Sequence, residues 1–319
     1  MNPQKLHRLG RTELQVSRLV YGTLPLGPLQ ANLSPKSGGE LIRHALDSGV
    51  NMLDTAELYG TYKHIREALR DFDKKVHVIS KTHAATAADA RKHVEHALRE
   101  MDLPKLDVVH LHGARLDNPF VDRAEVFAEL KQMKREGLID FIGLSTHYIC
   151  AVRQAADHPD VDVIHPLINR TGMGILDGSA AEMAAAIAYA ASKDKGIYGM
   201  KALAGGNLIK SARESFRYVL KLDGMHAFAI GMLTKAEIDG NLSLVNNDIA
   251  EAATWVELEK RERKIQIMEQ FCKGCGACVP ACTNHGIYLK EGKAKIKRED
   301  CILCGYCAAA CPDFIIRVV

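Results

Sequence analysis

The sequence predicts an α/β protein: a (β/α)8 TIM barrel followed by a small α+β module rich in cysteine. Two observations predict it. From about residue 16 to 247, short apolar runs alternate with amphipathic helical stretches, eight of each. After that, eight of the nine cysteines fall in two matching runs near the C-terminal end.

The elements follow in order. HRLGRTELQVSRLVYGT reads as a short hairpin and a first strand ending near Gly22. Further strands are expected at 50–54, 75–80, 106–111, 139–144, 161–167, 196–200 and 227–231. Between them, SGGELIRHALDSG, AADARKHVEHALREM and RAEVFAELKQMKREG carry the clearest helical period. A doubly wound sheet would want a G-x-G-x-x-G turn after an early strand, and none is present. The barrel is therefore assigned to 1–247. Residues 248–268, polar and charged, read as a helical connector, and 269–319 as a separate module.

The cysteine runs are CKGCGACVPAC (Cys272, Cys275, Cys278, Cys282) and CILCGYCAAAC (Cys301, Cys304, Cys307, Cys311, then Pro312). Each reads C-x2-C-x2-C-x3-C, the ligand spacing of a bacterial two-cluster ferredoxin. Zinc is the rival for any C-x2-C, but it takes two ligands from one knuckle and two from a distant one. Disulfides are the other rival, and the metal-ligand spacing argues against them. In the two-cluster pattern the fourth cysteine of each run serves the other centre. One [4Fe–4S] cluster is thus expected on Cys272, Cys275, Cys278 and Cys311, the other on Cys301, Cys304, Cys307 and Cys282. The halves resemble each other, so a pseudo-symmetric ferredoxin-like fold is expected, its folding coupled to metal. Thr283 stands where the second run has Pro312.

Barrel enzymes place chemistry at the C-terminal ends of strands. Here those ends carry Asp54, with Tyr59 five residues on, Lys81 and His112. Lys81, paired with Asp54, is expected to lower the pKa of the Tyr59 phenol. Tyr59 then gives a proton to a carbonyl oxygen that His112 fixes by a hydrogen bond.

DTAELYG (54–60), ISKT (79–82), LDVVHLH (106–112) and LGRTELQVSRLVYGT (9–23) resemble the aldo-keto reductase family over about residues 8–245. The resemblance implies a metal-free carbonyl reductase site with the tetrad Asp54, Tyr59, Lys81 and His112. Its spacing selects His112 over His110. The tail is similar to the ferredoxin extension of one branch of that family.

The same resemblance implies a dinucleotide, NADH or NADPH, near Gly22 and Thr23 and along the later strand ends. Ser145, Thr146 and Asn169 match its carboxamide positions. Met200 stands at the usual stacking ring. Lys201, Leu203, Gly205, Gly206 and Leu208 belong to the pyrophosphate loop. Gly231, Glu237 and Asn241 mark the adenine end. Leu233 replaces the usual Ser or Thr. An acid at 237 would repel a 2′-phosphate and accept from a ribose 2′-hydroxyl, which favours NADH.

Three readings join the halves. In one, the barrel interconverts a small carbonyl compound and its alcohol with NAD(P)H, and the clusters exchange electrons with an external ferredoxin or other carrier through a bridging flavin. In another, the clusters feed the pocket directly, without nicotinamide. In the third, the protein is an electron carrier or docking module with a vestigial barrel site. Lys290, Lys293, Lys295, Lys297 and Arg298 form a basic patch, read as a solvated hairpin face or as a docking surface for an acidic carrier. Cys150 reads as a buried small hydrophobe. The net charge of +3 argues against nucleic acid and anionic membrane. No long apolar run or signal pattern appears, so a cytoplasmic protein is expected.

Overall fold

The computed structural model describes residues 5–114, 116–247, 258–260, 262–312 and 315–318. A hairpin of β1 (His7–Arg8) and β2 (Gln15–Val16) opens the chain. Eight parallel strands then close a barrel: β3 (Leu19–Gly22), β4 (Met52–Asp54), β5 (His77–Thr82), β6 (Leu106–Gly113), β7 (Ile139–Thr146), β8 (Val163–Pro166), β9 (Gly196–Met200) and β10 (Ala227–Ile230). β10 pairs with β3 and closes the ring.

Helices cross between the strands: α1 (Pro35–Asp47), α2 (Tyr62–Leu69), α3 (Ala87–Met101), α4 (Pro119–Asp122), α5 (Ala124–Arg135), α6 (Ile149–Asp157), α7 (Ala180–Ser192), α8 (Ala212–Leu220) and α9 (Lys235–Asn247). Several start on side-chain caps. Thr86 accepts from the Asp89 amide, and Ser179 with Glu182 forms a reciprocal capping box. Their apolar stripes, such as Ala90, Val94, Ala97 and Met101 of α3, pack onto the outside of the barrel. Inside, Val20, Met52, Ile79, Val108, Val163 and Tyr198 fill the lumen, and Leu9, Leu14 and Val16 of the hairpin plug its N-terminal end. The hairpin thus closes this end and leaves the opposite mouth for the loops that follow the strands.

The tail is a second small body with two antiparallel pairs and a short helix. β11 (Ile265–Ile267) pairs with β14 (Ile316–Val318), and β12 (Ile287–Lys290) with β13 (Lys293–Ile296); α10 is Tyr306–Ala309. Its core consists of cysteines and a few aliphatics, among them Cys272, Cys278, Cys307, Cys311, Ile287 and Ile316. Most of the expected helical connector, 248–257 and Arg261, lies outside the described residues. Its end differs from expectation: Ile265–Ile267 is a strand of the module. The period-two alternation of Ile265 and Ile267 sits beside the charged run RERK, which reads as helix. β5 also starts later than expected and runs on to Thr82, carrying Lys81 to the rim. No helix among the described residues is long and apolar enough to cross a membrane.

Candidate active site at the barrel mouth

Register aligns the strand ends. Asp54 lies level with Gly22, Lys81 with His110, and His112 with Ser145. Lys81 donates to Asp54 Oδ2 at 2.7 Å and to the Thr55 carbonyl at 2.8 Å. Both side chains are buried, so each charge depends on the other. The Lys81 ammonium lies 4.8 Å from the Tyr59 ring centre, and the His112 ring meets Tyr59 edge-on at 6.2 Å. The structure thus brings Asp54, Tyr59, Lys81 and His112 together.

One expectation is corrected. The Tyr59 phenol is held well above its ordinary pKa, by burial first and then by Tyr306 and Asp54. The Lys81 ammonium is hydrogen-bonded to Asp54 and to the Thr55 carbonyl, and burial outweighs any pull it exerts on the phenol. Burial lowers the Lys81 pKa and Asp54 opposes that. His112 is pushed well below its usual value by burial and by Lys81, so the ring is neutral at pH 7.

Beneath the tetrad lies a layer that sequence reasoning missed. The Tyr198 hydroxyl donates to Asp54 Oδ1 at 2.9 Å. His110 Nε2 lies 2.7 Å from that hydroxyl, and with the hydroxyl proton spent on Asp54 the ring is the donor. His165 donates from Nδ1 to the Tyr198 carbonyl at 2.7 Å and stacks on its ring at 4.0 Å. Asp54 is therefore fixed from two sides. Tyr198 and His165 sit in apolar strand runs (GIYGM, VIHP), where a lone Tyr or His reads as core.

The module reaches into this mouth. The Tyr306 hydroxyl lies 3.2 Å from His112 Nε2 and is in hydrogen-bond contact with the Tyr59 phenol. Lys201 sits 5.6 Å from the centre of the Tyr306 ring. Cys304 lines one cavity with Asp54, Tyr59, Met200 and Lys201. Behind it the cysteines fall into the crossed sets. The Cys278 thiol has Cys311, Cys272 and Cys275 as charged neighbours, and those four line a cavity with Leu289, Ala294 and Ile316. The Cys307 thiol is pushed up by burial and then by Cys304, Cys301 and Cys282, with Cys278 of the other set acting least. No three His, Cys, Asp or Glu side chains among the described residues gather tightly enough for a single metal ion. Thiols spread around a shared space suit a bulkier inorganic core, and the backbone amides of Ala294 and Gly286 already point at Cys272 and Cys282 sulfurs, at 3.4 and 3.2 Å. The residues present fit two four-iron clusters.

Comparison with known proteins agrees with both halves. The aldo/keto reductase family model matches residues 18–219, and a 4Fe-4S dicluster domain model matches 271–315. The chain belongs to the aldo/keto reductase family. Among its relatives in that family are L-galactose dehydrogenase of Arabidopsis thaliana, 22% identical over 65% of this chain and 68% of the relative, and pyridoxine 4-dehydrogenase of Escherichia coli, 31% identical over 41% and 52%. The chain thus spans between about half and two thirds of the length of these curated relatives. Similar folds include a protein from Pseudomonas aeruginosa assigned to the aldo-keto reductases (25% identical, TM-score 0.66, 77% of this chain and 96% of that one). The holo form of an aldo-keto reductase from Bacillus halodurans shares the fold at 19% identity (TM-score 0.63, 81% and 96%).

Within this aldo/keto reductase the expected dinucleotide positions divide. Gly22, Met200, Lys201, Leu203, Gly205, Gly206, Gly231, Glu237 and Asn241 line the cavity that Cys304 also lines, with Leu258, Arg263 and Leu303 over it. The others lie outside that lining. Thr23 bonds the Asp54 carbonyl and the Thr61 hydroxyl, Thr146 accepts from the Tyr148 amide, and Leu208 lies in the turn before Ile209–Ser211. Ser145 Oγ is buried and has no hydrogen-bond partner among the described residues. Asn169 is spent on its own turn, its Oδ1 accepting from Thr171 and Met173 and its Nδ2 donating to the Met173 carbonyl. Glu237 accepts from the Leu233 and Thr234 amides at the start of α9, at 2.5 and 3.2 Å, so its carboxylate caps a helix.

Gly205 and Gly206 meet the module. Gly205 has φ +70°, and a Cβ there would lie 1.8 Å from the Ile302 carbonyl oxygen; one on Gly206 would touch Arg263. Asn207 donates to the Cys301 carbonyl at 3.0 Å. The loop expected to hold pyrophosphate is thus part of the joint between barrel and module. Most of the basic patch is engaged as well: Lys293 donates to the Cys272 carbonyl, Lys295 pairs with Glu269 at 2.6 Å, Lys297 pairs with Asp300, and Arg298 reaches the Cys301 carbonyl. Cys150 is half-buried beside Asp177, and burial pushes its thiol up to about 11.

Proposed function

We propose that this chain is an oxidoreductase that interconverts a small carbonyl compound and its alcohol at the barrel mouth, with Tyr59 passing the proton at oxygen and electrons exchanged through the cysteine module. The observation that carries the reading is the shared wall: Cys304 lines the same cavity as Asp54 and Tyr59. Iron–sulfur clusters, when bound, exchange electrons one at a time. The barrel residues do the rest. Tyr59 keeps its proton at neutral pH and can give it to a carbonyl oxygen. Neutral His112 donates a hydrogen bond to that oxygen. The Asp54–Lys81 pair, braced by Tyr198, holds the phenol's surroundings rigid.

Carbonyl to alcohol takes two electrons and two protons. When electrons come from the module side, Tyr59 supplies the oxygen proton and solvent the one on carbon, which favours substrates whose carbonyl is activated by a neighbouring group. The covered pyrophosphate loop and the engaged Asn169 and Glu237 favour this route. A second reading has a specific observation behind it: the cavity continues past Met200 to Gly231 and Asn241, as a nicotinamide dinucleotide needs. On that route the dinucleotide would supply hydride to the carbon, and its oxidised form would be re-reduced with electrons from the clusters through a flavin or an external carrier.

Anaerobically reconstituted protein titrated with NADH and NADPH tests the route. Absence of binding supports direct supply by the module. Binding that bleaches the cluster absorbance supports a bridged nicotinamide route. Binding without bleaching, with turnover independent of the clusters, overturns the coupling.

A further inference from the structure

Beside the cavity lined by Cys304, Met200 and Lys201 the barrel mouth holds a second one. It is walled by His83, His112 and Arg123 of the barrel and by Tyr306, Ala309 and Ala310 of the module. Leu58, Leu111 and Leu116 make the rest of its lining largely apolar, and no carboxylate lines it.

The charge of this cavity is simple. His83 is held below its ordinary pKa by burial and then by its neighbour His93, so it is neutral at pH 7. His112 is likewise neutral. Among the described residues of the lining, Arg123 carries the one full charge. Its guanidinium donates to the Asp122 carbonyl at 3.0 Å, and no ion pair involves it among the described residues. A guanidinium with no carboxylate paired to it suits an anion, and its planar fork matches a carboxylate; a neutral ligand would leave the fork without the acceptor it fits. The apolar remainder suits a hydrocarbon body.

We propose that this second cavity is the substrate chamber, and that it takes a small carbonyl compound bearing one carboxylate: Arg123 holds the carboxylate, and the carbonyl oxygen takes the place beside His112 that the Tyr306 hydroxyl fills. The proposal rests on the reading of Tyr59 and His112 as the proton donor and the oxygen-fixing group. A carboxylate next to the carbonyl, as in a 2-oxo acid, activates that carbonyl for reduction.

Calorimetric titration of the cluster-loaded protein tests it, with benzoylformate, its methyl ester and benzaldehyde as probes. The acid is expected to bind about tenfold or more tighter than either neutral probe. Arg123→Gln should abolish that preference and Arg123→Lys restore part of it, with the cluster spectrum unchanged in both. Equal binding of ester and acid, a preference that survives Arg123→Gln, or no binding of the acid in the millimolar range overturns the proposal. Because the titration reads binding and not turnover, it can succeed where the redox reading fails, and the reverse.

Discussion

The Tyr306 hydroxyl lies 3.2 Å from Nε2 of His112, joining two residues 194 positions apart in the chain. His112 and Tyr59 are the pair that would grip a carbonyl oxygen, and the module's own phenol fills that grip. One residue therefore ties the cysteine module to the proposed proton-transfer site.

Replacing Tyr306 by Phe removes the hydroxyl and keeps the ring. Steady-state kinetics should then show a lower KM for the carbonyl substrate with kcat little changed, because substrate no longer competes with the hydroxyl. The lost hydrogen bond should cost about 0.5–1.5 kcal/mol in thermal unfolding. A fall in kcat with KM unchanged would instead place Tyr306 in the chemistry.

Tyr59→Phe should lower turnover by about 10²-fold or more while melting temperature and cluster absorbance stay put. The pH profile carries a sign. Burial raises the Tyr59 pKa, so the protonated phenol persists above neutrality. The reductive rate should show no decline up to the ordinary phenol range, about pH 10. A decline beginning near pH 7 would mean another group donates.

Lys81→Met strands the Asp54 carboxylate in the barrel mouth, held only by Tyr198 and its neighbours. Chemical denaturation should register a loss of about 3–5 kcal/mol. Combined with Asp54→Leu, the loss should be smaller than the two single losses summed. Additive losses would show that the pair is not coupled.

The crossed cysteine sets predict which variants look alike. Cys311→Ser should perturb the same electron-spin signal as Cys272→Ser, and Cys282→Ser the same as Cys301→Ser. Pairing of Cys311 with Cys301 in this comparison would restore a run-by-run assignment.

Gly205→Ala places a methyl group against the Ile302 carbonyl in a left-handed backbone. Hydrogen exchange should quicken at Cys301–Tyr306 and along 201–208 together. Unchanged exchange on both sides would mean that the loop does not hold the module.

Much of this was legible in the sequence because it rests on local periodicity. α3 runs from Ala87 to Met101 as its pattern dictates, and the tetrad sits at strand ends that hydrophobic runs already marked. What was hidden depends on contacts between distant segments. Tyr198 and His165 look like filling in apolar strands, and only closure of the barrel sets them beside Asp54. Tyr306 lies inside a cysteine motif, where nothing local signals that it faces His112. Asn169 and Glu237 stand at dinucleotide positions, yet local turn and cap bonds claim them. Lys81 is expected from the sequence to act on Tyr59, but strand ends give no direction, and two of its hydrogens go to Asp54 and the Thr55 carbonyl.

The most direct measurement follows the clusters themselves. Dithionite-reduced protein, freed of excess reductant under anaerobic conditions, is mixed in a stopped-flow cell with benzoylformate and other 2-oxo acids while the visible absorbance of the clusters is recorded. The account predicts re-oxidation in the native protein and a rate about 10²-fold or more slower in Tyr59→Phe. Clusters that stay reduced in the native protein, or that re-oxidise equally fast in both, would contradict it.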